Sequence, residues 1–183
     1  MLKNKKICIF CASSSEINNR FIQTSIKLAE LLSMEKTRLI FGGGDHGLMG
    51  AVARIFKKNN CHVTSIIPAK LNKKGILFEN SDEVIVTETM NERKRIMAEI
   101  SDSFISLPGG FGTLEEILEI ITLKQLGYLN KPIAIFNVLG FYNRLLSQID
   151  LMYKEKFIDH RSSKLYYVSR KPLEIYNFLK LNL

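Results

Sequence analysis

The chain has 183 residues, with 26 Lys and Arg against 18 Asp and Glu, a formal net charge of +8 and 46% hydrophobic residues. That is enough chain to bury a core as a single domain over residues 1–183, with no need of disulfide or metal staples, and its apolar runs are too short to span a bilayer. The basic residues are dispersed, as at Lys57-Lys58 and Lys73-Lys74, with no arginine-rich arm or aromatic-interleaved stripe. The charge therefore suits a phosphorylated small molecule, or simply a solvated lysine surface, better than it suits nucleic acid.

The basic start, Met1 to Lys6, precedes an apolar run from Ile7 to Ala12 that is too short for a signal-peptide core, which predicts a cytoplasmic protein without membrane contact. Lys6 to Phe10 reads as a buried first strand, followed by the small polar loop Cys11-Ala12-Ser13-Ser14-Ser15. Cys8 and Cys11 match C-x-x-C by letter, but residues three apart on a strand point to opposite faces, which argues against redox or metal use. Phe21, Ile22, Ile26, Leu28, Ala29 and Leu32 keep helical spacing. Arg38 to Phe41 is a second strand running into Gly42-Gly43-Gly44-Asp45-His46-Gly47, and a helix over Leu48 to Lys58 follows. His62 to Ile67 is a third strand, Ala69 to Asn80 an irregular loop placed to lie over a site, and Glu83 to Thr87 a fourth strand. A helix over Met90 to Ser101, a fifth strand over Ser103 to Leu107 and a helix over Thr113 to Leu126 come next. Strand Pro132 to Phe136, helix Phe141 to Tyr153, a short strand around Leu165 to Val168 and a helix from Pro172 complete the chain. Apolar strands alternating with amphipathic helices predict an α/β fold. The expected form is a Rossmann-like doubly wound parallel sheet of about seven strands, in the order 3-2-1-4-5-6-7, with helices on both faces.

Ligands in such sheets bind beyond the carboxyl ends of the strands. Three strands here end in small or glycine-rich loops: Ala12-Ser13-Ser14, Gly42-Gly43-Gly44 and Gly109-Gly110. Together they predict a nucleotide or sugar-phosphate site, although neither the dinucleotide fingerprint G-x-G-x-x-G nor the phosphate-loop pattern G-x-x-x-x-G-K-[ST] is present. The segment from Leu107 to Glu116 is the centre of this reading. A strand enters three glycines and a helix then begins with two carboxylates expected in its first turn, so free N–H groups and about +0.5 of helix-dipole charge form an anion cradle.

Helical projection sorts the side chains near that cradle. On the helix from Met90, residues Met90, Ile96, Met97 and Ile100 form an apolar arc that contains Arg93, while Glu92, Arg95 and Glu99 point away. A guanidinium on an apolar face is costly unless it meets an anion, either a structural ion-pair partner or a ligand phosphate or catalytic carboxylate. On the helix from Thr113, Glu115 shares a polar face with Glu119 and Thr122, whereas Glu116 lines up with Thr113, Ile120 and Leu123. Glu116 is then a candidate catalyst, but Thr113-x-x-Glu116 is also a capping-box pattern, and both readings stand at this point. Glu115 reads as a solvated complement to the dipole. His46 could be a general base or a loop-packing residue, and His62 and His160 have no partner pattern. No cluster has metal-ligand spacing, so no metal or other cofactor is expected.

At these residues the chain resembles the Lonely Guy (LOG) family of cytokinin riboside 5′-monophosphate phosphoribohydrolases. The matching pieces are Cys11-Ala12-Ser13-Ser14, Gly42-Gly43-Gly44 with Gly47-Leu48-Met49-Gly50, Met90-Asn91-Glu92-Arg93-Lys94 and the P-G-G-x-G-T-x-x-E signature from Pro108 to Glu116. They continue through Thr122, Gln125-Leu126-Gly127, Lys131-Pro132 and Gly140-Phe141-Tyr142. The resemblance implies hydrolysis of the N-glycosidic bond of a nucleoside 5′-monophosphate, with Arg93 and Glu116 as the catalytic pair. With the strand-end loops, the implied substrate-binding set is Ser13, Gly43, Gly44, Met90, Lys94, Gly109, Gly110, Phe111, Gly112, Thr113 and Thr122. It also implies a homodimer. The chain departs from the family pattern at Ala12, Asp45-His46, Gly75 and Asn91, which leaves the preferred base open. The competing class is a non-catalytic nucleotide-binding or sensing module in which Glu116 only caps its helix.

Overall fold

Alternation within the strands decides the layering. The computed structural model describes residues 2–159 and 164–183, so His160 lies outside the described residues. In β1 (Lys6–Phe10), Ile7 and Ile9 face one core while Cys8 and Phe10 face another; in β2 (Arg38–Phe41), Leu39 and Phe41 divide from Ile40 in the same way. A strand with two apolar faces must be covered on both, and the helices supply the covers. One face packs against α1 (Asn19–Met34), α2 (Gly47–Lys58) and α6 (Pro172–Asn182). The other packs against α3 (Met90–Ile100), α4 (Phe111–Gln125) and α5 (Asn143–Lys154).

The remaining strands are β3 (Val63–Pro68), β4 (Glu83–Thr87), β5 (Ser103–Ser106), β6 (Ile133–Phe136) and β7 (Tyr167–Ser169). Among the described residues the seven strands form one sheet in the order β4-β3-β2-β1-β5-β6-β7, with every neighbouring pair parallel. This corrects the expected order, which put β4 between β1 and β5. The reason lies in the faces. All four residues of β5 are buried, as a central strand requires, whereas β4 leaves Val84 and Val86 39% and 49% exposed and can only be an edge. The chain between β3 and β4 turns back on itself, and Asp82 receives the Val63 N–H at 2.8 Å to start the β3–β4 register at Thr64 and Glu83. The order therefore reverses between β1 and β5, which puts a crevice between the loops that follow those two strands.

Several boundaries shift, each for a local reason. α4 begins at Phe111, directly after Gly110 as N-cap, two residues earlier than the spacing suggested. α5 begins at Asn143 because Val138 to Gly140 forms a separate short turn with positive φ at Leu139 and Gly140. The loop after β3 lies over the second glycine loop, with Phe78 N–H on the Gly43 carbonyl at 2.8 Å and Asp45 N–H on the Ile76 carbonyl at 2.9 Å. Cys8 and Cys11 fall in opposite cores, and they and Cys61 are free and buried. Among the described residues no helix is long and apolar enough to cross a membrane, and no His, Cys, Asp and Glu group is placed to hold a metal ion.

The helix that carries Arg93 has a true capping arrangement. The Thr89 hydroxyl accepts the Glu92 N–H at 3.1 Å, and the Glu92 carboxylate reaches back to the Glu88 N–H at 2.9 Å. Thr89→Ala should therefore cost about 1 kcal/mol of unfolding free energy in urea, with an unchanged denaturant slope.

Candidate active site

α3 and α4 lie on the same side of the sheet, and each turns one charged side chain inward. Arg93 and Glu116 are each only 7% exposed, and the Arg93 Nη1 meets Glu116 Oε1 at 2.7 Å. The Arg93 Nε donates to the Ile66 carbonyl within β3 at 3.0 Å, and Nη1 lies 4.0 Å from the Met90 sulfur. The guanidinium reaches this position only because residue 42 is glycine: a Cβ there would stand 2.2 Å from Nη2. The sequence reading took Gly42 only as part of a glycine-rich ligand loop and missed the Ile66 carbonyl, since a backbone acceptor leaves no letter by which to find it.

With α4 starting at Phe111, Thr113 is its third residue and not its N-cap, so the capping-box reading of Thr113 and Glu116 does not hold. Thr113 folds instead over Gly109, where a Cβ would lie 2.0 Å from the threonine hydroxyl. Glu115 and Glu116 belong to the second turn, and Glu115 is not a lone complement to the helix dipole. Lys94 of α3 pairs with both Glu115 and Glu119, the latter at 2.6 Å, so a second link ties the two helices beside the Arg93–Glu116 pair. Glu115 and Glu119 hold the Lys94 ammonium in its charged form by raising its pKa.

Burial raises the Glu116 pKa above its ordinary range, and the Arg93 charge only partly opposes that rise. Burial, with the Glu116 charge next, pushes both Cys8 and Cys11 upward, so these thiols stay protonated and are poor nucleophiles.

Gly110, Phe111 and Gly112 are exposed at the start of α4, where the first N–H groups have no intrahelical acceptor. Beside them a cavity of about 340 Å³ opens in the β1–β5 crevice, lined in part by Ala12, Ser14, Phe21, Pro108, Gly109 and Phe141. Arg93 lies against Gly42 and Ile66, and neither it nor Glu116 is part of that lining. Ser13 is exposed in the loop after β1, which packs closely on Gly47. Gly43 turns at positive φ against Ser65 and Ile67, and Gly44 bridges to Leu77. Met90 is exposed, in contrast to its expected place in the apolar arc. Thr122 is also exposed, donates to the Leu118 carbonyl at 2.8 Å, and lies about 16 Å along α4 from its start. His46 is the exposed N-cap residue of α2 and makes no side-chain capping bond, and exposed His62 lies 3.4 Å from the Thr64 hydroxyl.

A doubly wound parallel sheet with a helix-borne anion cradle beside its crevice, and a buried Arg–Glu pair one turn deeper, defines an α/β protein of nucleotide-site type. The family model described as "Possible lysine decarboxylase" matches residues 49–179. A cytokinin riboside 5′-monophosphate phosphoribohydrolase from Arabidopsis thaliana is 45% identical over 154 residues, 84% of this chain and 68% of that protein. Another from the same plant is 40% identical over 161 residues, covering 88% and 76%. Among solved structures, a molybdenum cofactor binding protein from Rippkaea orientalis shares the fold with a TM-score of 0.74 at 20% identity, covering 99% of this chain and 98% of that one. The molybdenum cofactor carrier protein of Chlamydomonas reinhardtii does so with a TM-score of 0.74 at 16% identity, covering 98% of each chain. The chain belongs to the Lonely Guy (LOG) family.

Gly42→Ala tests the seat of Arg93. The added Cβ should destabilise the protein by about 1–3 kcal/mol. A double-mutant cycle with Arg93→Ala in urea should return a coupling above about 1 kcal/mol if the guanidinium is what the methyl group meets.

Proposed function

We propose that this chain hydrolyses the N-glycosidic bond of a nucleoside 5′-monophosphate, with an adenine nucleotide of the cytokinin type as the substrate class. The observation that carries the reading is the buried Arg93–Glu116 pair one helical turn below the glycine cradle. The phosphate ester is taken by the N–H groups of Gly109 to Thr113 and by the positive end of α4. The bond between C1′ and the base nitrogen breaks, a bond from C1′ to a water oxygen forms, and a water proton ends on the base, giving free base and ribose 5-phosphate. Positive charge develops on the sugar as the base departs. The Glu116 carboxylate, whose ionised form Arg93 favours against the effect of burial, opposes that charge. The cradle and the carboxylate then serve opposite charges on one substrate, several bonds apart.

The description of the family model as a lysine decarboxylase fits these residues poorly. A Schiff base to a pyridoxal cofactor needs a neutral lysine amine, and Lys94, beside the pair, is held as an ammonium by two carboxylates. The three free, buried cysteines suit a reducing compartment, and we place the protein in the cytoplasm.

A second copy of the chain completes the proposal. Phe111, Leu118 and Leu126 are 94%, 40% and 64% exposed along one stripe of α4, which also carries Thr122. Too far from its own cradle to touch the same ligand, Thr122 serves the site of a homodimer across this stripe.

Incubation of pure protein with AMP or isopentenyladenosine monophosphate should release free base, and Glu116→Gln should lower the rate at least ~100-fold, or about 2.7 kcal/mol. Full activity in that variant would remove Glu116 from the mechanism, and binding without turnover over hours would favour a nucleotide-sensing module. In sedimentation, the protein should run at twice its 20.9 kDa chain mass. Leu118→Glu should give monomers of reduced activity, and a fully active monomer would end the dimer proposal.

A further inference from the structure

A buried phenol behind the cradle takes no part in the chemistry proposed above. Tyr142 is 2% exposed, and its hydroxyl donates to the Leu107 carbonyl at 2.6 Å and lies 2.8 Å from the Ser106 hydroxyl. Burial pushes its pKa up to about 12, so the group stays a donor across the working pH range. Leu107 is the last residue before Pro108-Gly109-Gly110. The next carbonyl, that of Pro108, accepts the Ala12 N–H at 3.0 Å from the loop after β1. Two successive carbonyls are thus tied to different elements, and the proline ring fixes φ between them. The glycines beyond have no side chains with which to fix their own peptide planes.

Tyr142 is itself anchored. Its N–H donates to the Asn137 side-chain oxygen at 2.8 Å, and the Asn137 amide donates to the Asn143 side-chain oxygen at 2.9 Å. Arg170 donates to that same Asn143 oxygen at 2.9 Å, so the chain of bonds ends at the carboxyl end of β7. The neighbouring Phe141 packs edge-on against Tyr142 at 4.9 Å and lines the crevice cavity, so one corner of the chain supports both the cradle and the wall beside it.

We infer that Tyr142 is a positioning residue of the anion cradle: by holding the Leu107 carbonyl, its hydroxyl sets the direction of the Gly109 to Gly112 N–H groups toward a phosphate ester. The inference rests on the cradle binding a nucleoside monophosphate, as proposed above. Donors fixed before the ligand arrives need no reorganisation when it binds, whereas an untethered glycine loop must be ordered at the expense of affinity. A purely space-filling tyrosine would do none of this, and phenylalanine would replace it.

The test compares wild type with Tyr142→Phe, which keeps the ring and removes only the hydroxyl. AMP binding by calorimetry should weaken about 10-fold or more, and any hydrolysis should lose the same factor in kcat/KM, mainly through KM. Hydrogen exchange should quicken in the peptide spanning Leu107 to Thr113 and stay unchanged in β2 and β3. Unaltered AMP binding, exchange that quickens uniformly over the sheet, or loss of cooperative melting would overturn the inference. If the wild type binds AMP without cleaving it, the hydrolase reading fails while the binding comparison still judges Tyr142. A wild type that does not bind AMP removes both.

Discussion

A guanidinium and a carboxylate held 2.7 Å apart and away from water set the terms for the rest of this structure. Taking two such charges out of water costs several kcal/mol per ion, and a well-packed apolar pair in the same volume is often as stable or more so. Here the balance is visibly incomplete, since burial raises the Glu116 pKa despite the arginine beside it. The fold therefore holds the pair in place by other means. Thr89 caps the arginine's helix, the Ile66 carbonyl takes the guanidinium Nε, and Lys94 links the same two helices through Glu115 and Glu119. Under the proposed function, such an arrangement concentrates charge for use by a reacting sugar.

The departures from the family pattern fall around this centre and not within it. Asn91 is exposed on α3, and Asp45 is engaged by Arg54 at 2.5 Å. Gly75 takes a positive φ in an exposed loop with open space around it. Ala12 lines the crevice cavity, where a change of side chain alters its shape.

Much of this was legible in the sequence because it depends on periodicity. Alternating apolar residues gave away a doubly covered sheet, and a 100° projection turned Arg93 and Glu116 inward before either had a partner. The parts that stayed hidden depend on comparisons across the fold. The position of β4 follows from one of its faces being left to solvent, which can be judged only once β5 is known to be covered on both. Thr113-x-x-Glu116 imitates a capping box by letter, while the working cap is Thr89 with Glu92. The fit of Gly42 against Arg93 joins elements 51 positions apart in the chain and involves no side chain on one partner. Thr122 came from family resemblance, and the projection placed it with Glu115 on the polar face of its helix, where it is exposed.

The three cysteines carry a consequence of their own. Each is buried, and burial keeps each thiol protonated, so neither oxidants nor alkylating reagents find a thiolate in the native protein. Cys8 and Cys11 report on opposite cores and Cys61 on the start of β3, with no disulfide to couple them. The rate at which each becomes reactive is therefore a clock for the opening of its own layer. The molecule carries, without any added label, a means of learning whether its two faces come apart together or one at a time.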